Sequence, residues 1–146
     1  MRDEAVPRPL EGVPVLEFSQ AIAAPTCGRY LAALGAEVIK MENLMAPDLI
    51  RAMGPSWLTA DVHPLIKFDV PPMGGEYVSG KLSCGLNISA PRGRELLDDL
   101  LRASDVVVIN YSASAIKNLS LRGEDVLAVN PAIVYCGLPG FGYDED

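Results

Sequence analysis

The polar residues with the best prospect of binding a ligand follow a continuous apolar stretch. Asn110, Tyr111 and Ser112 come directly after residues 105–109, which read DVVVI. An apolar run of this kind is typical of a parallel strand that is buried on both faces. In open sheets of such strands, ligands bind in the crevice at the carboxyl ends. Asn110 could instead cap the next helix, since its side-chain oxygen can accept backbone N–H groups, and both interpretations stay open.

Other potentially reactive side chains favour less specific roles. Cys27 lies near the start of a predicted helix, where a thiolate would be stabilised, but a buried thiol is the commoner role of a free cysteine. His63 precedes a proline in an irregular segment, which is typical of a surface loop. Asp144 and Glu145 form an acidic end, which is typical of a solvated tail rather than of positioned catalytic carboxylates.

Few residues could bind a metal ion. The chain has one histidine and three widely spaced cysteines, without CxxC or HxxxH spacing. Structural zinc needs four such ligands, usually in closely spaced pairs, so we expect no metal. An odd number of distant cysteines also argues against a disulfide framework and favours a cytoplasmic location.

The composition is typical of one packed, soluble domain. Of the 146 residues, 49% are hydrophobic and 21% are charged, close to the averages of globular proteins. The net charge of −7 gives no general attraction to nucleic acid or to an anionic membrane. Residues 1–10 lack the apolar core of a secretory signal, and no apolar run is long enough to span a bilayer.

The order of the predicted elements indicates an α/β fold. Strands are predicted at residues 13–18, 36–41, 82–88, 105–109 and 132–138. Helices are predicted at residues 26–34 (with Pro25 in the first turn), 91–103, 113–119 and 123–129. This alternation favours an open parallel sheet with helices on both faces. Residues 43–80, rich in proline and glycine, have no clear period and are predicted to form an irregular insertion.

The loops that could carry a ligand site are those at the carboxyl ends of the predicted strands. They comprise residues 19–24, 89–91, 110–114 and 139–142. Either Ser89 or Ala90 is expected to cap helix 91–103, and only Ser89 has the side-chain oxygen to cap well.

Three long stretches together resemble the family III CoA-transferases. They are PLEGVPVLEFSQAIAAPTCGRYLAALGAEVIKME at residues 9–42, KLSCGLNISAPRGRELLDDLLRASDVVVINY at 81–111 and EDVLAVNPAIVYCGLPGFG at 124–142. The resemblance implies the N-terminal, CoA-binding part of a Rossmann-like fold, incomplete relative to the family's full interlocked dimer.

The same resemblance implies a function. Family members transfer CoA between carboxylic acids by means of a nucleophilic aspartate that lies beyond the segment matched by residues 140–142. We therefore expect this chain to end before that aspartate and to be inactive alone. An origin in the acyl-CoA racemase branch of the family is an alternative.

Nine residues are assigned to CoA binding by the resemblance. They are Ile22 and Ala23 after the first strand, Leu86, Asn87, Ile88 and Ser89 for the adenosine part, and Asn110, Tyr111 and Ser112 after strand 105–109. The expected ligands are coenzyme A or an acyl-CoA thioester, as substrate, and a small carboxylic acid. The expected protein partner is a second copy or a complementing chain.

The sequence departs from the family at several positions that are often basic. These positions hold Asn43, Leu82, Ser89 and Asn118. Because phosphates are best held by arginine or lysine, the loss would weaken CoA binding, with Lys40, Lys81 and Lys117 as partial substitutes.

Two other functions compete with the transferase hypothesis. The chain could be a non-catalytic assembly module that keeps the first half of the fold, with exposed sheet edges that favour dimerisation. It could also be a generic nucleotide-binding domain, but its first turn reads SQAIAAP and lacks the GxGxxG pattern.

Overall fold

The computed structural model describes residues 8–43, 48, 50 and 77–143. Five strands run through this part of the chain: β1 (Pro14–Phe18), β2 (Glu37–Glu42), β3 (Leu82–Gly85), β4 (Val106–Ile109) and β5 (Val134–Gly137). Four helices accompany them: α1 (Ala23–Ala33), α2 (Pro91–Arg102), α3 (Ala113–Asn118) and α4 (Gly123–Val129).

The strands form one parallel sheet in the order β3-β2-β1-β4-β5. The chain moves outward from β1 to β3 and then crosses back to continue on the other side of β1. The loops after β1 and β4 therefore diverge, and a crevice opens between them, which is where such folds bind ligands. The predicted Rossmann-like α/β fold is confirmed.

The alternation of side chains along the strands forms two cores. Leu16 and Phe18 of β1 pack with Val107 of β4 on the face covered by α2, α3 and α4. Val15 packs with Val108 on the opposite face, against α1. Helices thus cover both faces, as the alternating pattern predicted.

The boundaries of most elements differ from the predictions by one to three residues, and they differ most at the start of α1 and at the end of β3. Helix α1 begins at Ala23, ahead of Pro25, because the amides of a first turn need no intrahelical acceptor. Strand β3 ends at Gly85 rather than at residue 88, and Asn87 Oδ1 accepts the Ser89 N–H at 3.1 Å in the turn that follows. Of the two residues expected as the cap of α2, Ala90 is the N-cap, without a side-chain cap bond, and Ser89 is not the cap.

Several predictions fall on residues that the structure does not describe. The irregular insertion predicted at residues 43–80 lies largely outside the described residues, as do His63, Asp144 and Glu145. Among the helices that are described, none has the length and apolar character needed to cross a bilayer.

Candidate functional site

A cavity of about 350 Å³ opens at the carboxyl ends of β1, β2, β3 and β4. Its walls come from the carboxyl-terminal residues of β1 and β2, from the loops that follow the four strands, and from Ala115 of α3 and its C-cap residue Leu119. The lining residues are Phe18, Ser19, Gln20, Lys40, Met41, Glu42, Asn43, Asp48, Leu86, Asn87, Ile88, Ser89, Asn110, Tyr111, Ser112, Ala115 and Leu119.

Seven of the nine sequence-predicted site residues line this cavity: Leu86, Asn87, Ile88, Ser89, Asn110, Tyr111 and Ser112. The structure therefore brings together two segments that are more than twenty residues apart in the chain. Ile22 and Ala23 are not among the lining residues. They form the N-terminal end of α1, where the Ile22 side chain is exposed.

The turn at residues 86–89 is held against the start of α2. Gly93 lies in the first turn of that helix, and a Cβ atom there would collide with the backbone carbonyl of Asn87. Only glycine permits this close approach. The position of the Asn87 backbone in the cavity wall thus depends on Gly93.

Asn110 links the two loops that diverge at the crevice. Its Oδ1 accepts the Gln20 N–H at 2.9 Å, and its Nδ2 donates to the Gln20 carbonyl at 2.8 Å. The capping interpretation of Asn110 is wrong, because Ser112 is the N-cap of α3 and its Oγ accepts the Ala115 N–H.

Tyr111 forms an aromatic wall of the cavity. Its ring meets Phe18 edge to face, with centroids 6.4 Å apart, an arrangement that aromatic pairs favour. Burial, reinforced by the negative charges of Asp48, Glu42 and Glu17, raises the pKa of Tyr111 to about 12. The phenol is therefore neutral at physiological pH.

A cluster of buried charges supports the cavity from the α1 side of the sheet. Lys40 Nζ lies 2.9 Å from Asp48 Oδ2 and 3.6 Å from Glu17 Oε1, and Lys81 Nζ lies 2.6 Å from Glu17 Oε2. The side chains of Glu17, Lys40 and Lys81 are at most 3% exposed. A Cβ atom at Gly28 of α1 would collide with the Glu17 carboxylate, so this helix lies directly on the cluster.

Cys27 packs beside this cluster on α1. Burial raises the pKa of its thiol, and the neighbouring Cys136 and Glu17 raise it further. The structure thus favours the buried, protonated thiol over a reactive thiolate. All three cysteines are free.

Sequence comparison identifies the family. The sequence pattern of CoA-transferase family III matches residues 10–145. The chain belongs to CoA-transferase family III.

Curated relatives carry names from the same family. The chain is 33% identical over 138 residues to a succinate–glutarate CoA-transferase of Agrobacterium fabrum, with 92% of this chain and 33% of the relative covered. It is 32% identical over 135 residues to the human succinyl-CoA:glutarate CoA-transferase, with 92% and 29% covered. A formyl-CoA:oxalate CoA-transferase of Escherichia coli is 31% identical over 137 residues, with 91% and 30% covered. The chain thus spans about a third of the length of these relatives.

Solved structures share the fold. A CaiB/BaiF family protein from Brucella suis superposes with a TM-score of 0.74 at 30% identity, covering 94% of this chain and 35% of that one. A protein from Mycobacterium tuberculosis superposes with a TM-score of 0.76 at 28% identity, covering 94% and 36%.

The lysines expected to replace the family's lost basic residues are already engaged. Lys40 donates to Ser19 O at 3.2 Å, to Ser19 Oγ at 2.6 Å and to Asp48, which uses all three donors of its ammonium group. Lys81 donates to Glu17 and to the Pro25 carbonyl. The Lys40 and Lys81 side chains are 3% and 1% exposed, and both are paired with buried carboxylates. This arrangement argues against the expectation that they substitute for the lost basic residues. Lys117 lines a different hollow, beside α4.

Gln20 and Asp48 are among the cavity residues that were not assigned to the site from the sequence. Gln20 lies in a loop that was singled out, but nothing in its type distinguished it from its neighbours. Asp48 falls within the irregular stretch, where no period assigns a side chain to a face. The sequence does contain one signal for the buried charges beside the cavity. Glu17 and Lys40 are oppositely charged residues, each within a predominantly apolar strand.

The described residues contain no group of three or more His, Cys, Asp and Glu side chains that could hold a metal ion.

Proposed function

We propose that this chain supplies the CoA-binding loops of an enzyme that transfers CoA between carboxylic acids. Its substrates would be an acyl-CoA thioester and a small carboxylate. The observation that carries the proposal is the cavity at the carboxyl ends of β1 to β4, whose lining includes seven of the nine residues that the resemblance to the family assigns to CoA.

The lining favours the adenosine part of CoA. Leu86, Ile88 and Tyr111 offer apolar and aromatic surface on which an adenine ring can stack, and the Asn87 side chain can hydrogen-bond to its polar edge. The charged groups of the described lining are Lys40, Glu42 and Asp48, and Lys40 is neutralised by its buried partners. The electrostatics therefore favour a neutral nucleoside here over the phosphates.

The chemistry would need a carboxylate from elsewhere in the enzyme. In the family that this chain resembles, an aspartate beyond the segment matched by residues 140–142 attacks the acyl-CoA. The described part of the chain would contribute CoA binding and orientation. Because the relatives are named for succinate, glutarate and oxalate, small dicarboxylates are the first acids to test.

Calorimetric titration of the 146-residue chain with CoA tests the proposal. We expect a dissociation constant near micromolar, about −8 kcal/mol, with competition by adenosine. Dephospho-CoA, which lacks the 3′-phosphate, reports whether that phosphate contributes to affinity. A folded chain that binds neither CoA nor adenosine would contradict the proposal.

An assembly module is the second candidate function, and the sheet edges favour it. Among the described residues, β3 and β5 form the two edges of the sheet, and Leu82 and Val134 on these strands are 56% and 61% exposed. Unpaired strand edges with apolar side chains tend to pair with another chain. We propose a homodimer or a complementing chain as the partner, and sedimentation analysis measures its stoichiometry. A monomer at all concentrations that still binds CoA would contradict the homodimer.

A further inference from the structure

The backbone between β1 and α1 adopts a conformation that its sequence does not favour. Ala21 has a φ of 59°, in the left-handed region that residues other than glycine, asparagine and aspartate seldom adopt. Such strain persists only where surrounding contacts enforce it. The residues that hold Ala21 at this positive φ are therefore the residues that fix the conformation of the loop.

Side chains from three other parts of the chain hold the loop at residues 19–21. Lys40 donates to the Ser19 carbonyl, and Asn110 pairs with both the N–H and the carbonyl of Gln20. The loop is thus tied to β2 and to the end of β4. Ser19 and Gln20 themselves line the cavity.

Asp48 holds the strained residue itself. Its Oδ1 accepts the Ala21 N–H at 3.0 Å and the Ile50 N–H at 3.1 Å, and its Oδ2 accepts from Lys40 at 2.9 Å. Asp48 is 8% exposed. One buried carboxylate therefore joins the loop after β1 to the lysine on β2.

We infer that Asp48 is a positioning residue, which fixes the loop at residues 19–21 through the Ala21 N–H and thereby shapes one wall of the cavity. This inference rests on the proposed function in one respect, that CoA is the ligand of the cavity. Asp48 itself need not contact CoA, because both of its oxygens are engaged within the protein.

The direct and the positioning roles predict opposite results for Asp48→Ala. CoA is a polyanion, so removing a carboxylate from the cavity lining would strengthen binding if Asp48 acted only through its charge. If Asp48 positions the loop, the variant binds CoA about tenfold more weakly, the effect of losing one hydrogen bond to a charged group. Calorimetric titration with CoA measures whether the affinity of Asp48→Ala rises or falls relative to wild type.

A second pair of variants separates the Ala21 hydrogen bond from the negative charge. Asp48→Asn keeps an oxygen that can accept the Ala21 N–H but turns its NH2 group toward Lys40, so it loses the bond from that lysine. We therefore expect its CoA affinity to fall by clearly less than that of Asp48→Ala. Adding Ala21→Gly to Asp48→Ala should restore much of the lost affinity, because glycine adopts positive φ without strain. An Asp48→Asn variant as weak as Asp48→Ala, or no recovery with Ala21→Gly, would overturn the route through Ala21.

Asn130→Ala is the matched control. Asn130 bonds the carbonyls of Leu101 and Ser104 at the amino end of the sheet, away from the cavity. Its loss should lower the melting temperature while CoA affinity stays unchanged. If Asn130→Ala weakened CoA binding as much as Asp48→Ala, the effect of Asp48 would be general destabilisation and the inference would fail.

Hydrogen exchange of the ligand-free chain keeps this inference separate from the proposed function. We expect the Ala21 amide to exchange more than about tenfold faster in Asp48→Ala, with core amides of β4 unchanged. If wild type bound no CoA, the proposed function would fail and the Ala21 exchange rate alone would decide the inference. Unchanged exchange at Ala21 would overturn it.

Discussion

Glu17 and Lys40 lie directly opposite each other on neighbouring parallel strands, with Lys40 Nζ 3.6 Å from Glu17 Oε1. Glu17 also accepts from Ser19 Oγ at 2.5 Å and from Lys81 at 2.6 Å. One fully buried carboxylate thus faces two ammonium groups, and Asp48 provides the second negative charge. The cluster is neutral as a whole, which is the condition under which charges are tolerated inside a protein.

Replacement of Glu17 should therefore be costly. Glu17→Gln leaves Lys81 without its anionic partner and Lys40 with only Asp48, and we expect the free energy of unfolding to fall by about 3–5 kcal/mol. Urea denaturation measures this change. The exposed pair Arg92–Glu95 is the control, since Glu95→Gln should alter stability by less than about 0.5 kcal/mol. If the two substitutions lowered the free energy of unfolding equally, burial would not be the reason why the Glu17 ion pairs stabilise the protein.

The architecture was predictable from the sequence because its signals are local. The apolar run at residues 105–109 and the leucine-rich face of helix 91–103 specify elements whose order determines a parallel sheet. The cluster of Glu17, Lys40 and Lys81 was not predicted, because it depends on the register between strands. Sequence spacing alone does not provide that register.

The site was predictable only in part, for the same reason. Family resemblance led to Asn87 and Asn110, and the structure places both in the cavity. The resemblance did not reveal that the Asn110 side-chain amide hydrogen-bonds to the Gln20 backbone, or that Asp48 accepts the Ala21 N–H. These contacts join segments that are distant in the chain. The resemblance also led to Lys40 as a phosphate ligand, although burial commits that ammonium group to ion pairs.

The stability that Asp48 contributes should disappear in acid. Burial raises the pKa of Asp48, but hydrogen bonds from Ala21 and Lys40 outweigh this effect, and the net pKa is lowered. An aspartate with a lowered pKa in the folded state stabilises the protein above its unfolded pKa of about 3.9 and loses that contribution as pH falls through the folded pKa. The difference in unfolding free energy between wild type and Asp48→Asn should be constant above about pH 5 and shrink below about pH 4. A difference that stayed constant to pH 3, or grew in acid, would contradict this assignment.

Gly93 should couple helix α2 to ligand binding. In Gly93→Ala the new Cβ would meet the Asn87 carbonyl, so the turn at residues 86–89 must shift, at a cost of about 1–3 kcal/mol. We expect a lower melting temperature together with weaker CoA binding. Gly123→Ala is the matched control at the start of α4, where the added Cβ would lie at ordinary contact distance, 3.6 Å, from Tyr135. It should leave CoA affinity unchanged, and equal losses in the two variants would show that the turn at residues 86–89 is not part of the site.

Asn43 offers a way to strengthen phosphate binding. It lines the cavity just after β2, at a position where the family often has arginine. Lys40, the lysine of the described lining, is paired with buried carboxylates. An arginine at this position would give the cavity a guanidinium group that can bind a phosphate through two parallel hydrogen bonds. We therefore expect Asn43→Arg to tighten CoA binding about tenfold, since hydrogen bonds to charged groups contribute about 1.5–3 kcal/mol.

Titration of Asn43→Arg with dephospho-CoA and with adenosine shows which phosphate the arginine contacts. If it contacts any phosphate, the gain in affinity should be absent with adenosine. If it contacts the 3′-phosphate, the gain should be absent with dephospho-CoA as well. An equal gain with all three ligands would show that the arginine acts on the nucleoside or on the loop, and would contradict a phosphate contact at this position.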